Sequence, residues 1–129
     1  MPERHIAMLV VVDDGHVLLE QRPGTGIWGG LLSLPEVAVD KDQARGIAQA
    51  VAPFGLLASH QKLQPFSHGF THFKLHVAPY QVALAQRHPM AAQTGHVWYP
   101  ADRLAQAPLP APVKKLLVAL LGKADLFGG

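Results

Sequence analysis

The chain has 129 residues, 49% of them apolar and 16% charged, which suits one globular domain and excludes both a disordered chain and two full-size domains. It contains no cysteine, so disulfides, thiol catalysis and iron–sulfur ligation are excluded within it. The net charge of +2 permits nucleic-acid binding without arguing for it; the longest apolar run, IAMLVVV at 6–12, is too short to cross a bilayer and has no signal-peptide flanks, so no membrane role is expected and a cytoplasmic setting is the default.

The first elements read as a hairpin. HIAMLVVVDD (5–14) is β-branched and apolar, Asp14-Gly15 is a hairpin-turn pair, and HVLLEQR (16–22) returns. The unbroken run at 6–12 predicts a strand buried on both faces. PGTGIWGG (23–30) is a glycine-rich loop in which Trp28 reads as a structural plug, and LLSLPE (31–36) is a short strand stopped by Pro35. A helix follows, with Asp40 as its cap and Gln43 completing a capping box. Ala44, Ile47, Ala48 and Val51 form its apolar stripe, and Pro53 and Gly55 stop it. Gly46 in its middle costs about 1 kcal/mol relative to alanine, so packing must hold this helix.

Strand patterns return at 57–68 and 71–84, with a tight connection at Gly69-Phe70. In the second, Phe73, Leu75 and Val77 alternate with His72, Lys74 and His76. Residues 85–96 read as a loop and VWYP (97–100) as a last strand. Pro112 opens a final helix whose face is Val113, Leu116, Leu117, Leu120 and Leu121, and Gly122 is placed to end it. The expected fold is α+β, a mixed β-sheet flanked by two helices, in a single domain over 1–129.

Gly30, Glu36 and a helix beginning soon after resemble the start of a Nudix box, the segment by which Nudix hydrolases hold magnesium against a diphosphate. The resemblance stops there. The box's arginine position is Ala44, its next glutamate is Arg45, and its critical glutamate pair falls on Ala48 and Gln49. Asp42 is the only acid between 41 and 55. Magnesium takes oxygen ligands and needs carboxylates to anchor it on the protein side, so the domain alone is expected to be non-catalytic.

Four segments in order carry a second resemblance: HVLLEQRPGTGIWGGLLSLPE, FSHGFTHFKLHV, VWYP and LPAPVKKLL. They resemble the C-terminal, Nudix-like domain of the MutY family of adenine DNA glycosylases over roughly residues 5–121. The resemblance implies base excision repair of DNA damage, with double-stranded DNA carrying 8-oxoguanine opposite adenine as the partner. It implies an N-terminal helical glycosylase domain, absent from this chain, that bears the glycosidase (hydrolase) chemistry and a 4Fe-4S cluster; no cofactor is expected here. The start at Met1, just before the first strand, fits a domain taken from a longer protein.

The family's lesion-contact motif, Phe-Ser-His, maps onto Phe70, Thr71 and His72. The Thr71 hydroxyl could accept from the N7–H that distinguishes 8-oxoguanine from guanine, and the same hydroxyl or a backbone N–H could donate to the extra C8 oxygen. Phe70 could wedge beside the lesion, and His72 could touch a phosphate. The plainer readings are a core cap for Phe70, an ordinary strand residue for Thr71 and a solvated one for His72. His72 and His76 lie about 13 Å apart on a strand, too far to share one metal ion, so no metal site is expected. The alternatives are a divergent hydrolase of 8-oxo-dGTP-like nucleotides using Glu20 and Glu36, and a protein-interaction module.

Overall fold

The computed structural model describes residues 1–88 and 95–126. Its central strand is β1 (Glu3–Asp13), in which Ala7 to Val11 are wholly buried. Alternation along the strand sends Met8 and Val10 into one core and Ala7, Leu9 and Val11 into another. The run at 6–12 is thus buried on both faces, as its composition requires. Asp14 and Gly15 both take positive φ, 48° and 72°, the requirement of a type I′ turn, and lead into β2 (His16–Gln21).

β2 stays beside β1 only through Val12↔Val17 and Asp13↔His16. It then pairs with β3 (Leu32–Ser33), and from His16 to Glu20 it pairs with β8 (His96–Pro100). The vacated edge of β1 is taken by β4 (Glu36–Ala38), antiparallel from Ile6↔Ala38 to Met8↔Glu36. Pro35 therefore separates two short strands instead of ending the strand region. Its carbonyl accepts from the Leu9 N–H at 2.9 Å, which steers the chain back to the sheet.

The other edge of β1 pairs in parallel with β7 (Lys74–Arg87), from Glu3↔Lys74 to Val12↔Ala83. β7 extends past the expected end at 84, and of the supposed loop 85–96 residues 89–94 lie outside the described residues. The outer edge of β7 carries two partners, β5 (Gly55–Lys62) and β6 (Phe66–Gly69). The single strand expected over 57–68 is split because Pro65 has no N–H for the ladder. Just before it, the Leu63 N–H donates to the Pro79 carbonyl at 2.8 Å.

Helix α1 (Gln43–Val51) is capped by Asp42, whose carboxylate accepts from the Arg45 N–H at 3.2 Å. Asp40 is not the cap. It forms the turn before it, accepting from the Asp42 N–H at 3.0 Å while its own N–H donates to Gln43 Oε1 at 3.2 Å. Ile47 and Val51 bury against Leu9, Val11 and Leu18. A Cβ on Gly46 would lie 3.1 Å from Val37 Cγ1, so the glycine lets α1 settle close to β4. Helix α2 (Ala111–Leu126) covers the opposite face with Val113 and Leu117. Gly122 does not end it; the helix runs on to Leu126. A 3-10 turn over Ala101–Gln106, without a clear signal in the sequence, adds Leu104 to the same core. The result is a mixed sheet with one α-helix on each face.

Gly55 opens β5 opposite Arg87, where the register slips twice within a few residues. An added Cβ would collide with the Gln86 carbonyl oxygen and lie 2.9 Å from Leu84 Cδ1. Gly55→Ala is expected to destabilise the fold by about 1–3 kcal/mol, the usual range for overpacking, seen as a lower urea midpoint at unchanged slope.

Candidate nucleic-acid interface

Loop 70–73 joins β6 to β7 just beyond the Gly69↔Lys74 pair. The Phe70 N–H donates to the Phe73 carbonyl at 2.8 Å, closing it. Phe70, Thr71 and His72 therefore lie together on one hairpin tip, and His72 belongs to the loop, not to the alternating strand expected from 71 onward. The strand alternation begins at Phe73 and Lys74, with Leu75 and Val77 buried. Thr71 and His72 are exposed, whereas Phe70 and Phe73 are half-buried and bracket them. The two rings stack at 4.8 Å with planes 20° apart. The tip thus presents a hydroxyl and an imidazole on an apolar base.

That base is wider than the sequence indicated. Trp28 packs on Phe70 at 5.5 Å and on His68 at 6.0 Å, and His68 meets Phe70 edge-on at 4.8 Å. The Arg4 guanidinium lies 4.6 Å over the Phe73 ring, a cation–π contact. Trp28 has φ of 55°, an unfavourable conformation for a bulky residue that costs about 1–3 kcal/mol. The surrounding loop holds it there. The Gly30 N–H donates to the Pro23 carbonyl at 3.0 Å, the Leu31 N–H to Trp28's carbonyl at 3.2 Å, and Gln21 Nε2 to the Gly30 carbonyl at 2.9 Å. The Trp28 ring is half-buried against the core and touches the tip. A lone tryptophan among glycines was the one legible signal for this cluster; nothing local marks Arg4 or His68 as its neighbours.

On the other face of the same sheet end, His5 and His76 stack at 4.6 Å. His76 Nε2 donates to Glu3 Oε1 at 2.6 Å, and this bond holds the Glu3 carboxyl below its ordinary value. Lys74 is the exposed cation beside them.

A groove beside α1 is lined by Val37, Asp40, Asp42, Arg45 and Gln49 among others, and Arg45 and Gln49 stand at two of the box's glutamate positions. Asp42 is engaged as the helix cap and Asp40 in the turn before it, and Arg45 adds a positive charge. Among the described residues no three His, Asp or Glu side chains converge to hold a metal ion, so the donor set does not fit a magnesium–diphosphate site. Glu36 Oε2 is paired with Arg22 Nη1 at 2.7 Å. Burial pushes the Glu36 carboxyl above its ordinary value, Arg22 opposes that rise and Glu20 adds to it. The carboxyl is half-buried and held by the arginine.

Because Glu36 binds its proton more tightly folded than unfolded, its contribution favours the fold at low pH and declines as pH rises from the unfolded value through the raised folded one. Carboxyl NMR titration is expected to place its midpoint above that of an ordinary glutamate. In Arg22→Met the midpoint should rise further, since the opposing charge is gone; a fall would contradict the pairing.

The NUDIX domain family matches residues 6–119. The adenine DNA glycosylase of Buchnera aphidicola subsp. Schizaphis graminum (strain Sg) is 38% identical over 60 residues, which cover 45% of this chain and 17% of that protein. The chain therefore aligns with less than a fifth of that relative. The C-terminal domain of mouse MUTYH, solved in complex with human PCNA, superposes with a TM-score of 0.70 at 25% identity, covering 95% of this chain and 88% of that one. A MutT NUDIX hydrolase from Burkholderia pseudomallei superposes at 0.68 and 19% identity, covering 91% and 97%, a likeness of fold alone. The mixed sheet, the helix on each face and a family match spanning nearly the whole chain agree: the chain belongs to the NUDIX domain family.

Proposed function

We propose that this domain is the lesion-recognition part of an adenine DNA glycosylase, reading 8-oxoguanine opposite adenine, with no bond-breaking chemistry of its own. The observation that carries the reading is the hairpin tip. An exposed hydroxyl and imidazole stand on an aromatic base, in a domain whose box helix carries Arg45, Ala48 and Gln49 at the glutamate positions. The likeness to a MUTYH C-terminal domain and to part of a bacterial adenine DNA glycosylase supports it. Catalysis, and the 4Fe-4S cluster expected with it, would belong to a separate helical domain that flips the adenine out of the stack.

In this reading the Thr71 oxygen accepts from the lesion's N7–H, a hydrogen that guanine lacks. Plain guanine presents an acceptor to that oxygen, although the hydroxyl can rotate to donate instead, which limits the discrimination to the few kcal/mol typical of base readout. Phe70 supplies an apolar ring beside the base pair, able to buckle the step. His72 reaches outward from the same tip toward a phosphate.

The test places the domain in a full-length adenine DNA glycosylase and compares adenine removal opposite 8-oxoguanine and opposite guanine. Thr71→Ala is expected to lower the preference by roughly five- to hundredfold, the worth of a base-edge contact, mainly through the lesion substrate, and Thr71→Ser to retain it. An unchanged preference in Thr71→Ala and Phe70→Ala would move the reading elsewhere. The isolated domain with magnesium is expected to release neither phosphate nor pyrophosphate from 8-oxo-dGTP. Release that disappears in Glu36→Gln would instead establish a hydrolase.

A further inference from the structure

We infer that Trp28 is a positioning residue for the hairpin tip: its ring, delivered by the glycine-rich loop, fixes Phe70 and through it the orientation of Thr71 and His72. The inference rests on the lesion-reading role proposed above and adds to it a residue from a distant loop. Thr71 and His72 are exposed and cannot be ordered by their own packing. Within the loop itself, the backbone closure is the Phe70–Phe73 hydrogen bond. The remaining restraint on Phe70 comes from the rings around it, Phe73 on one side and Trp28 with His68 on the other.

The topology brings the two loops together. β2 runs antiparallel to β1 and β7 runs parallel to it, so the end of β2 and the start of β7 lie at the same end of the sheet. The loop after β2 carries Trp28, and the loop before β7 carries Phe70. Trp28 reaches across with a positive φ of 55°. A change to an ordinary negative φ would redirect its Cα–Cβ bond and withdraw the ring. The strained backbone and the ring contact are therefore parts of one device.

Two substitutions separate those parts. Trp28→Gly tolerates the backbone conformation but removes the ring; Trp28→Phe keeps an aromatic ring there. The first readout needs no DNA: amide hydrogen exchange in this chain. In Trp28→Gly the Phe70 amide is expected to exchange faster by about two- to tenfold, the scale of one aromatic pair contact, while Val10 in the central strand is unchanged. Trp28→Phe should restore most of the protection. Unaltered Phe70 exchange in Trp28→Gly overturns the inference, as does equal loss of protection at Val10, which would mark general destabilisation.

The second readout is the 8-oxoguanine-to-guanine preference of a full-length adenine DNA glycosylase carrying this domain. Trp28→Gly is expected to lower it by a similar factor, and Trp28→Phe to preserve it. A preference that falls in Thr71→Ala but not in Trp28→Gly overturns the positioning role and leaves the lesion-reading role standing. A preference untouched in both overturns the lesion-reading role, and this inference falls with it.

Discussion

The parallel ladder between β1 and β7 is the constraint on which the rest depends. Ala7 to Val11 are buried on both faces, so a one-residue slip would exchange the side chains of two different cores. That fixes the register from Glu3↔Lys74 onward. The ladder continues at its start, where the Lys74 N–H donates to the Pro2 carbonyl at 2.9 Å. The hairpin tip at 70–73 is consequently anchored at the first residue of a rigid strand. A loop so placed inherits the precision of the sheet while its tip residues stay exposed.

The same sheet explains how a Nudix fold holds without the box's acids on its helix. Helix α1 is held by Ile47 and Val51 against Leu9, Val11 and Leu18, by the Asp42 cap and by the close approach at Gly46. None of these needs an acid at Arg45, Ala48 or Gln49. Apolar burial carries the architecture, whereas metal binding resides in a few outward side chains that can be replaced at little structural cost. Glu36 stands in its box position but is drawn into a pair with Arg22, where it joins β4 to the loop that follows β2.

A strained tryptophan and a cluster of aromatic rings meet at one end of the molecule. Trp28 at positive φ, the stacked Phe70 and Phe73, His68 and the Arg4 guanidinium all gather there. Strained conformations persist where surrounding structure over-determines them, and the hydrogen-bonded glycine loop does that for Trp28. The exposed Thr71 and His72 sit on this base, so their presentation depends on residues from three separate parts of the chain.

Local physics made much of this legible in the sequence. The Asp14-Gly15 pair specified a type I′ turn, the unbroken run at 6–12 specified a doubly buried strand, and period 3.6 marked Ile47, Val51, Val113 and Leu117 as core. The missing acids of the box were plain from residue types alone. The choice among competing local options lay with the tertiary structure. Asp42 won over Asp40 as the cap because the Asp40 carboxylate is taken by the Asp42 N–H in the turn before the helix, leaving Asp42 to accept from Arg45. The stretch 57–68 divided because β7 offers two successive stretches of edge and Pro65 can use neither amide-for-amide. Gly122 stayed inside its helix, since a glycine ends a helix only where the chain has reason to turn. The meeting of Trp28 with Phe70 left no pattern in either segment, because it follows from strand direction and register, which arise only when distant parts of the chain bury one another.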